Sequence, residues 1–217
     1  MNGFPAGRGR APRPFDAVTL AAMYRRVSVP EDLPWHRDEP PVFLQQFIEA
    51  RGVFGRALDI GCGSGETAVY LAGRGYQVTG VDFLDAPLRF AKALARQARV
   101  QISFLQQNVL YWDAPGLYDL VVDLGCLHHI DDRMTKLYRR VVLRALTSNG
   151  DLIIGHLATP ISGSYNLSVP LPRCRTVPAV RRLFASALRL REHAVEHVCD
   201  SNLGRLTIGF YRFTRSL

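Results

Sequence analysis

Short apolar runs alternate with stretches of helical spacing along most of the chain after Gly52. The apolar runs have the length of strands and lie at 57–60, 77–81, 101–106, 117–124 and 151–157. Helical spacing fills the stretches at 65–74, 85–98, 131–147 and 178–187. Strands and helices in alternation predict a parallel sheet with helices on both faces, which is an α/β, Rossmann-like doubly wound fold.

Two later apolar segments follow each other without a helix between them. They cover residues 188–199 and 205–214, and the turn residues Asp200–Gly204 join them. A short connection of this kind favours antiparallel pairing. The sheet is therefore predicted to be mostly parallel, with about seven strands and an antiparallel closing strand.

The segment before the sheet divides into a tail, two helices and a loop. The tail covers residues 1–14, the helices run over 16–27 and 40–51, and a proline-containing loop occupies 28–39. We therefore predict a disordered tail over 1–14 and a single domain over 15–217. Within that domain an N-terminal lid covers 15–40 and an insertion covers 158–177.

Composition narrows the class of protein. With 217 residues and 47% apolar content, the chain is long and apolar enough for one folded domain. No run of 18 apolar residues exists, and the tail lacks the apolar segment of a secretory signal, which predicts a cytoplasmic protein without a membrane span. The four cysteines form no C-x-x-C pair, so neither a disulfide framework nor a metal site is expected.

The chain is basic, with a formal charge of +8. Of its 27 basic residues only Lys92 and Lys136 are lysines. Basic proteins bind nucleic acids and other anions. The arginines are spread along the whole chain, however, and pairs such as Arg139-Arg140 fall on predicted helices, where a solvated face is the ordinary role. A nucleic-acid partner is therefore unlikely on the sequence alone.

The most informative stretch is Ala57–Thr67, where a strand runs into three glycines and then into a helix. Glycines let a ligand approach the backbone, and the helix start offers free N–H groups. This pattern predicts a nucleotide-like ligand at the carboxyl end of the first strand. Glu66 occupies the place of the third glycine of a dinucleotide fingerprint, and no Gly-Lys-Ser/Thr follows, so neither that fingerprint nor a P-loop is present.

The spacing Asp-x-Gly-x-Gly-x-Gly resembles the first motif of class I S-adenosylmethionine-dependent methyltransferases. The resemblance implies that Asp59 orients the amino end of the cofactor, that Asp82 binds its ribose hydroxyls and that Phe83 packs along the adenine. Asn108 and Val109, after the third strand, match the family's adenine position, which is usually Asp. The remaining cofactor-binding residues implied are Gly61, Cys62, Gly63, Gly65 and Leu124.

The end of the fourth strand carries a second signal. The stretch Leu127-His128-His129-Ile130 resembles a turn found in many small-molecule methyltransferases. A nucleophile needs at most one base to take its proton, so His128 or His129 is a candidate catalytic residue. Either imidazole could instead simply be packed, and Asp123 could simply cap a nearby backbone N–H.

The nature of the substrate is inferred from what covers the cleft. The Asn/Asp-Pro-Pro-Tyr turn of nucleic-acid amine methyltransferases is absent after the fourth strand, and a +8 chain suits a cationic polyamine poorly. The two covering segments supply aromatic and polar side chains suited to a small molecule, namely Tyr24, Trp35, His36 and Tyr165. The stretch Leu33–Pro41 resembles the lid of thiopurine-methyltransferase-like enzymes.

The sequence thus predicts methyl transfer from S-adenosylmethionine to a small organic molecule, in specialised metabolism. One alternative is an RNA or protein methyltransferase. Another is a cofactor-binding module without methyl transfer, or one with a different reaction on the same fold. The nucleophilic atom and the oligomeric state stay open.

Overall fold

The structure is a computed structural model, and it describes residues 17–33, 35–52, 54–114, 117–159, 173–200 and 204–215. Within them the strands are β1 (Arg56–Ile60), β2 (Gln77–Asp82), β3 (Ile102–Gln106), β4 (Tyr118–Leu124), β5 (Leu146–Thr159), β6 (Leu188–Asp200) and β7 (Gly204–Arg215). The helices are α1 (Ala17–Arg26), α2 (Val42–Arg51), α3 (Glu66–Gly73), α4 (Asp85–Gln97), α5 (Thr135–Ala145) and α6 (Val177–Phe184).

The seven strands form one sheet in the order β3-β2-β1-β4-β5-β7-β6. Strands β1 to β5 pair in parallel, while β7 is antiparallel to both β5 and β6. The predicted Rossmann-like sheet with an antiparallel closing strand is confirmed. The order reverses between β1 and β4, and this switch point is where ligands bind in open α/β sheets.

Each face of the sheet has its own apolar core. The face that carries α5 and α6 buries Leu58, Val121, Leu152, Tyr138 and Phe184 among others. The opposite face buries Leu44, Phe47, Ala57, Leu71 and Ile153 among others. Alternate residues of β1 and β5 reach both cores, so the central parts of these strands are mostly apolar, as a sheet covered on both faces requires.

Two element boundaries differ most from the prediction. Strand β5 begins at Leu146 rather than at residue 151, because Leu146 already pairs with Tyr118 before the register shifts. Helix α5 begins at Thr135, after a 3₁₀ turn over Asp132–Met134 that Asp131 caps by accepting a hydrogen bond from the Arg133 N–H at 2.9 Å. The Asp131 cap stops the helical pattern from extending back to residue 131.

Arginines that are scattered in the sequence gather beside α5 and α6. We call this surface the basic groove, and its cations are Lys136, Arg139, Arg140, Arg144, Arg173, Arg175 and Arg182. Some of them are paired with aspartates, as Arg144 is with Asp113 at 2.7 Å. Helix α5 contributes four of these cations, because its basic residues recur at helical spacing.

No helix within the described part of the chain is both long and apolar enough to cross a bilayer. The domain limits predicted above stay predictions, since the tail over 1–14 and residues 160–172 of the insertion lie outside the described residues.

Candidate functional site

A cavity of about 330 Å³ opens at the carboxyl ends of β1, β2, β4 and β5. It is lined by most of the predicted site residues, namely Tyr24, Trp35, His36, Asp59, Gly61, Cys62, Gly63, Asp82, Phe83, Leu124, His128 and His129. The cavity lies at the switch point of the sheet, so the topology brings together residues that are far apart in the chain.

The glycine turn after β1 forms one wall of the cavity. The N–H groups of Gly61 and Cys62 both donate to the Val81 carbonyl, at 2.7 and 3.1 Å, which ties the turn to the end of β2. Gly61 has a φ of +67°, and a Cβ there would lie 2.7 Å from the Cβ of Cys126. Glycine is therefore required because the turns after β1 and β4 approach each other too closely for a side chain.

Asp82 is buried at the end of β2 and already serves the backbone around it. Its Oδ2 accepts a hydrogen bond from the Gly63 N–H at 3.1 Å, and its Oδ1 accepts one from the Leu84 N–H at 2.9 Å. Burial raises the pKa of Asp82, and these backbone N–H groups oppose the rise. Each carboxylate oxygen still has a lone pair that can accept a further hydrogen bond from a ligand.

We call Asp59, Glu66 and Asp82 together the acidic end of the cavity. Burial raises the pKa of Asp59 to about 8, with smaller contributions from the charges of Asp123, Glu66 and Asp82. The Oδ2 atom of Asp59 is buried and accepts no hydrogen bond within the described residues. A buried carboxyl oxygen left in this state is expected to meet a ligand that carries hydrogen-bond donors or positive charge.

The opposite end holds three imidazoles, and we call His128, His129 and His156 the imidazole end. His128 packs edge-on against both neighbours, with ring centroids 4.5 Å from His129 and 5.6 Å from His156. Burial lowers the pKa of His129 and of His156 to about 4, and that of His128 falls further below its usual range. All three rings are therefore neutral near pH 7.

Asp123 fixes the turn that carries His128. Its Oδ1 accepts hydrogen bonds from the N–H groups of Gly125 and Cys126 at 3.0 and 2.7 Å, and its Oδ2 accepts one from the Leu127 N–H at 3.0 Å. The Tyr138 hydroxyl on α5 also donates to Oδ2. Asp123 therefore caps the turn, which is the structural alternative raised by the sequence.

Part of the segment predicted to be a lid lines the cavity, while its closing on a ligand stays a prediction. Tyr24 is buried, and the Trp35 Nε1–H donates to its hydroxyl at 3.4 Å while the two rings pack edge-on at 5.7 Å. The His36 Nδ1 lies 3.0 Å from the Oε1 of Glu66, in the first turn of α3. The lid is thus joined to the helix that follows the glycine turn.

Four predicted site residues are not among those that line the cavity. Gly65 caps the start of α3 with a φ of +93°, and a Cβ there would lie 2.8 Å from the Cβ of Ala91, so glycine is needed there for packing and its contact with the cofactor stays a prediction. Asn108 accepts a hydrogen bond from the Leu110 N–H at 3.0 Å, and Val109 is buried in the core. Tyr165 lies outside the described residues. Adenine contact by Asn108 and Val109 stays a prediction.

One candidate functional residue was not predicted from the sequence. It is His156, which lies near the end of β5. It is fully buried and lines the cavity beside Leu157 and Phe210. Its position at the carboxyl end of a predicted central strand was the available signal, because polar residues at that edge face the ligand cleft. No group of three or more side chains within the described residues is arranged so that it could hold a metal ion.

Comparison with known proteins agrees with this geometry. Residues 57–150 match the family described as "Methyltransferase domain". The ubiquinone biosynthesis O-methyltransferase of Pectobacterium carotovorum is 37% identical over 102 residues, which are 46% of this chain and 43% of that protein. The corresponding protein of Rickettsia conorii is 37% identical over 75 residues, 35% of this chain and 26% of that one. The aligned region thus spans about half or less of these relatives.

Solved structures extend the fold match over nearly the whole chain. The 1,6-didemethyltoxoflavin-N1-methyltransferase of Burkholderia thailandensis, solved with its substrate and S-adenosylhomocysteine, superposes with a TM-score of 0.70 at 22% identity over 98% of both chains. The N-methyltransferase NodS of Bradyrhizobium japonicum, solved with S-adenosylhomocysteine, has a TM-score of 0.70 at 18% identity, covering 92% of this chain and all of that one. At these identities the likeness concerns the fold. Residues 57–150 thus match the methyltransferase-domain family, and the strand order and the glycine turn are those of the class I S-adenosylmethionine-dependent methyltransferase fold.

Proposed function

We propose that the chain transfers a methyl group from S-adenosylmethionine to a nucleophilic atom of a small organic molecule, as a cytoplasmic enzyme of specialised metabolism. The observation that carries the proposal is the division of one cavity into an acidic end beside the glycine turn and an imidazole end beside β4 and β5. The first end suits a positively charged cofactor, and the second suits a proton-bearing acceptor.

The residues present fit the cofactor. S-adenosylmethionine carries a sulfonium and an ammonium group, and three carboxyl groups line the acidic end. Asp59, with its unpaired buried oxygen, would accept the ammonium, and Asp82 would accept the ribose hydroxyls. Phe83, which is 39% exposed on the rim, offers a face for the adenine. When bound, the cofactor supplies an electrophilic methyl group, and the protein positions the acceptor and excludes water.

The imidazole end would receive the acceptor. His128 and His129 are neutral, so either can accept a hydrogen bond from an O–H or N–H group and take its proton as the methyl bond forms. Burial disfavours an imidazolium at this end of the cavity, so the imidazoles are weak bases. We therefore expect an acceptor whose O–H or N–H proton is acidic enough to be given up readily. The lid over Tyr24, Trp35 and His36 closes the cavity and leaves room for a small substrate.

The substrate class draws support from the relatives. Several curated relatives are named for ubiquinone biosynthesis, and one structural neighbour is a 1,6-didemethyltoxoflavin-N1-methyltransferase. The molecule bound in that neighbour is small, and a cavity of about 330 Å³ suits an acceptor of small size.

Calorimetry with S-adenosylhomocysteine tests the cofactor assignment. The Asp82→Ala substitution removes charge-assisted hydrogen bonds of about 1.5–3 kcal/mol, so affinity should fall roughly tenfold to a hundredfold. Asp85→Ala is the matched control, because Asp85 is an exposed carboxylate three residues away that contacts Arg89 and does not line the cavity. Equal affinities of wild type and Asp82→Ala would contradict the assignment.

Transfer itself is tested with cofactor labelled on the methyl group. Incubation with a fractionated small-molecule extract should move label into a low-molecular-weight product and release S-adenosylhomocysteine. Label recovered in RNA or protein would favour the alternative acceptors, and cofactor binding without any transfer would favour a binding module.

A further inference from the structure

His156 combines three features that the proposed reaction has not used. It is fully buried, its ring lines the cavity, and neither ring nitrogen has a side-chain hydrogen-bond partner among the described residues, although the backbone of Leu157 lies near enough to the ring to oppose the fall of its pKa. The Nδ1 of the adjacent His128 is unpartnered in the same way. Buried polar atoms of native proteins are nearly always paired, so two such rings facing one cavity indicate groups that await a ligand.

The positive charge of Arg175, near these rings, favours one kind of ligand. Arg175 is buried, and its guanidinium donates to the carbonyls of Leu127 and Ile130 at 3.1 and 2.8 Å and to Asp132 at 2.7 Å. Its positive charge lowers the pKa of both His128 and His156, so its potential reaches both rings. A group that develops negative charge is stabilised there, and a cationic amine is disfavoured.

The walls around the rings set the shape of the ligand. Leu124, Leu157, Ile208 and Phe210 line the same part of the cavity. Gly155 brings β5 close to its neighbours, since a Cβ there would lie 2.9 Å from atoms of Leu124 and Phe210. This surface is apolar, and its polar groups in the described residues are the imidazoles, which suits a flat uncharged ring bearing one acidic hydroxyl.

We propose that His156, acting with His128 and backed by Arg175, is the specificity-determining residue of an acceptor pocket for a phenolic hydroxyl. The inference rests on the proposed methyl transfer and names its substrate class. One unpartnered imidazole would accept the hydroxyl hydrogen bond, and the charge of Arg175 would stabilise the oxygen as its proton moves to the imidazole nitrogen. The phenol oxygen then attacks the methyl group, and the proton remains on the ring until it is lost to solvent.

The test uses 4-nitrophenol and 4-nitroanisole, which have the same ring with and without the hydroxyl proton. Binding to the full chain saturated with S-adenosylhomocysteine is measured in weakly acidic buffer, where the free phenol is protonated. Wild type should bind 4-nitrophenol about tenfold more tightly than 4-nitroanisole, because the anisole leaves an imidazole unpaired. It should bind 4-nitrobenzylamine, a cation in that buffer, more weakly than either.

The variant His156→Phe keeps a planar ring and removes both nitrogens. It should lose most of the preference for the phenol over the anisole, because only the His128 imidazole remains, while its affinity for S-adenosylhomocysteine is unchanged. Its melting temperature should equal or exceed that of wild type, because an unpaired buried polar group destabilises the fold. His156→Gln retains a donor and an acceptor and should recover part of the preference. His197→Phe, at an exposed position on β6, is the matched control and should bind as wild type does.

Absorbance gives a second readout, since 4-nitrophenol and its phenolate absorb at different wavelengths. The bound phenol should ionise at lower pH than the free compound in wild type, and this shift should shrink in His156→Phe. Equal binding of phenol and anisole by wild type, or an undiminished preference in His156→Phe, would overturn the inference while leaving methyl transfer intact. If the wild type does not bind S-adenosylhomocysteine at all, the proposed function itself is refuted.

Discussion

The acidic and imidazole ends of the cavity are both buried, yet burial acts on them in opposite directions. At the acidic end it raises the pKa of Asp59 to about 8, and at the imidazole end it lowers the pKa of His129 and His156 to about 4. The result is the same in both places, because each group is pushed toward its neutral form. A cavity rich in titratable groups can therefore carry little net charge before a ligand enters.

The two ends differ in what a ligand does to them. A positively charged cofactor beside Asp59 restores the carboxylate, so binding at the acidic end is linked to proton release. No anion faces the imidazole end in the described residues, and Arg175 opposes its protonation. The acidic end is therefore suited to binding a positively charged ligand. The imidazole end is suited to taking a proton from the acceptor only at the moment when the acceptor releases it.

Replacement of His128 by glutamine should have the largest effect. If His128 takes the acceptor proton, the rate of methyl transfer should fall by about 10²–10⁴-fold. The affinity for S-adenosylhomocysteine should not change, because the cofactor occupies the acidic end. His129→Gln should cost less. Intact rates in both variants would mean that proximity alone drives transfer or that the substrate ionises unaided.

Substitution of Gly63 should disable the acidic end. Gly63 has a φ of +53°, and an added Cβ would project into the cavity 3.1 Å from the Tyr24 hydroxyl. We expect Gly63→Val to weaken S-adenosylhomocysteine binding by about a hundredfold or more, measured by calorimetry. Gly73→Ala is the control, because no atom lies within 4 Å of its would-be Cβ and its φ is not positive. Similar losses of S-adenosylhomocysteine affinity in the two variants would mean that the substitutions act through the stability of the fold and not through the cavity.

The protonation of Asp59 predicts a pH effect of intermediate size. Its pKa is raised from 3.8 to about 8 in the fold, so its contribution to stability is complete below pH 3.8 and is lost as pH rises to about 8. Asp59→Asn should flatten that fall in the free energy of unfolding, measured by denaturant titration without ligand. Calorimetry in buffers of different ionisation enthalpy should show proton release on cofactor binding near pH 7 in wild type and less in the variant. Equal release in both would mean that another group loses the proton.

The smallest expected effect concerns the lid. Trp112→Phe leaves Trp35 as the single tryptophan, packed on Tyr24 at the mouth of the cavity. Saturation with S-adenosylhomocysteine should shift its emission to the blue and reduce quenching by acrylamide, as expected when a lid excludes water. His36→Gln should diminish both changes by loosening the contact with Glu66. An unchanged spectrum on saturation would show that this segment does not close on the cofactor.

The sheet could be predicted from sequence because its signals are local. Each central strand contains an apolar run of strand length. The glycine turn predicts both a tight bend and a ligand-binding site. The imidazole end could not be predicted in full. His156 is an isolated polar residue in a mostly apolar strand, and it contacts His128 only because β5 lies next to β4 in the sheet. The sequence also could not show that a side chain at position 65 would meet Ala91 on α4, because that contact joins two separate segments of the chain. Packing between distant segments decides both cases.

Strand order also has a consequence for the synthesis of the chain. Strand β7 lies between β5 and β6, although it follows β6 in the sequence. Until β7 has left the ribosome, β5 has an open edge and β6 has no partner at all. Unpaired edges of this kind are templates for wrong pairing and aggregation. The nascent protein is therefore most vulnerable during the interval between the emergence of residue 188 and that of residue 215, when a chaperone would protect it best.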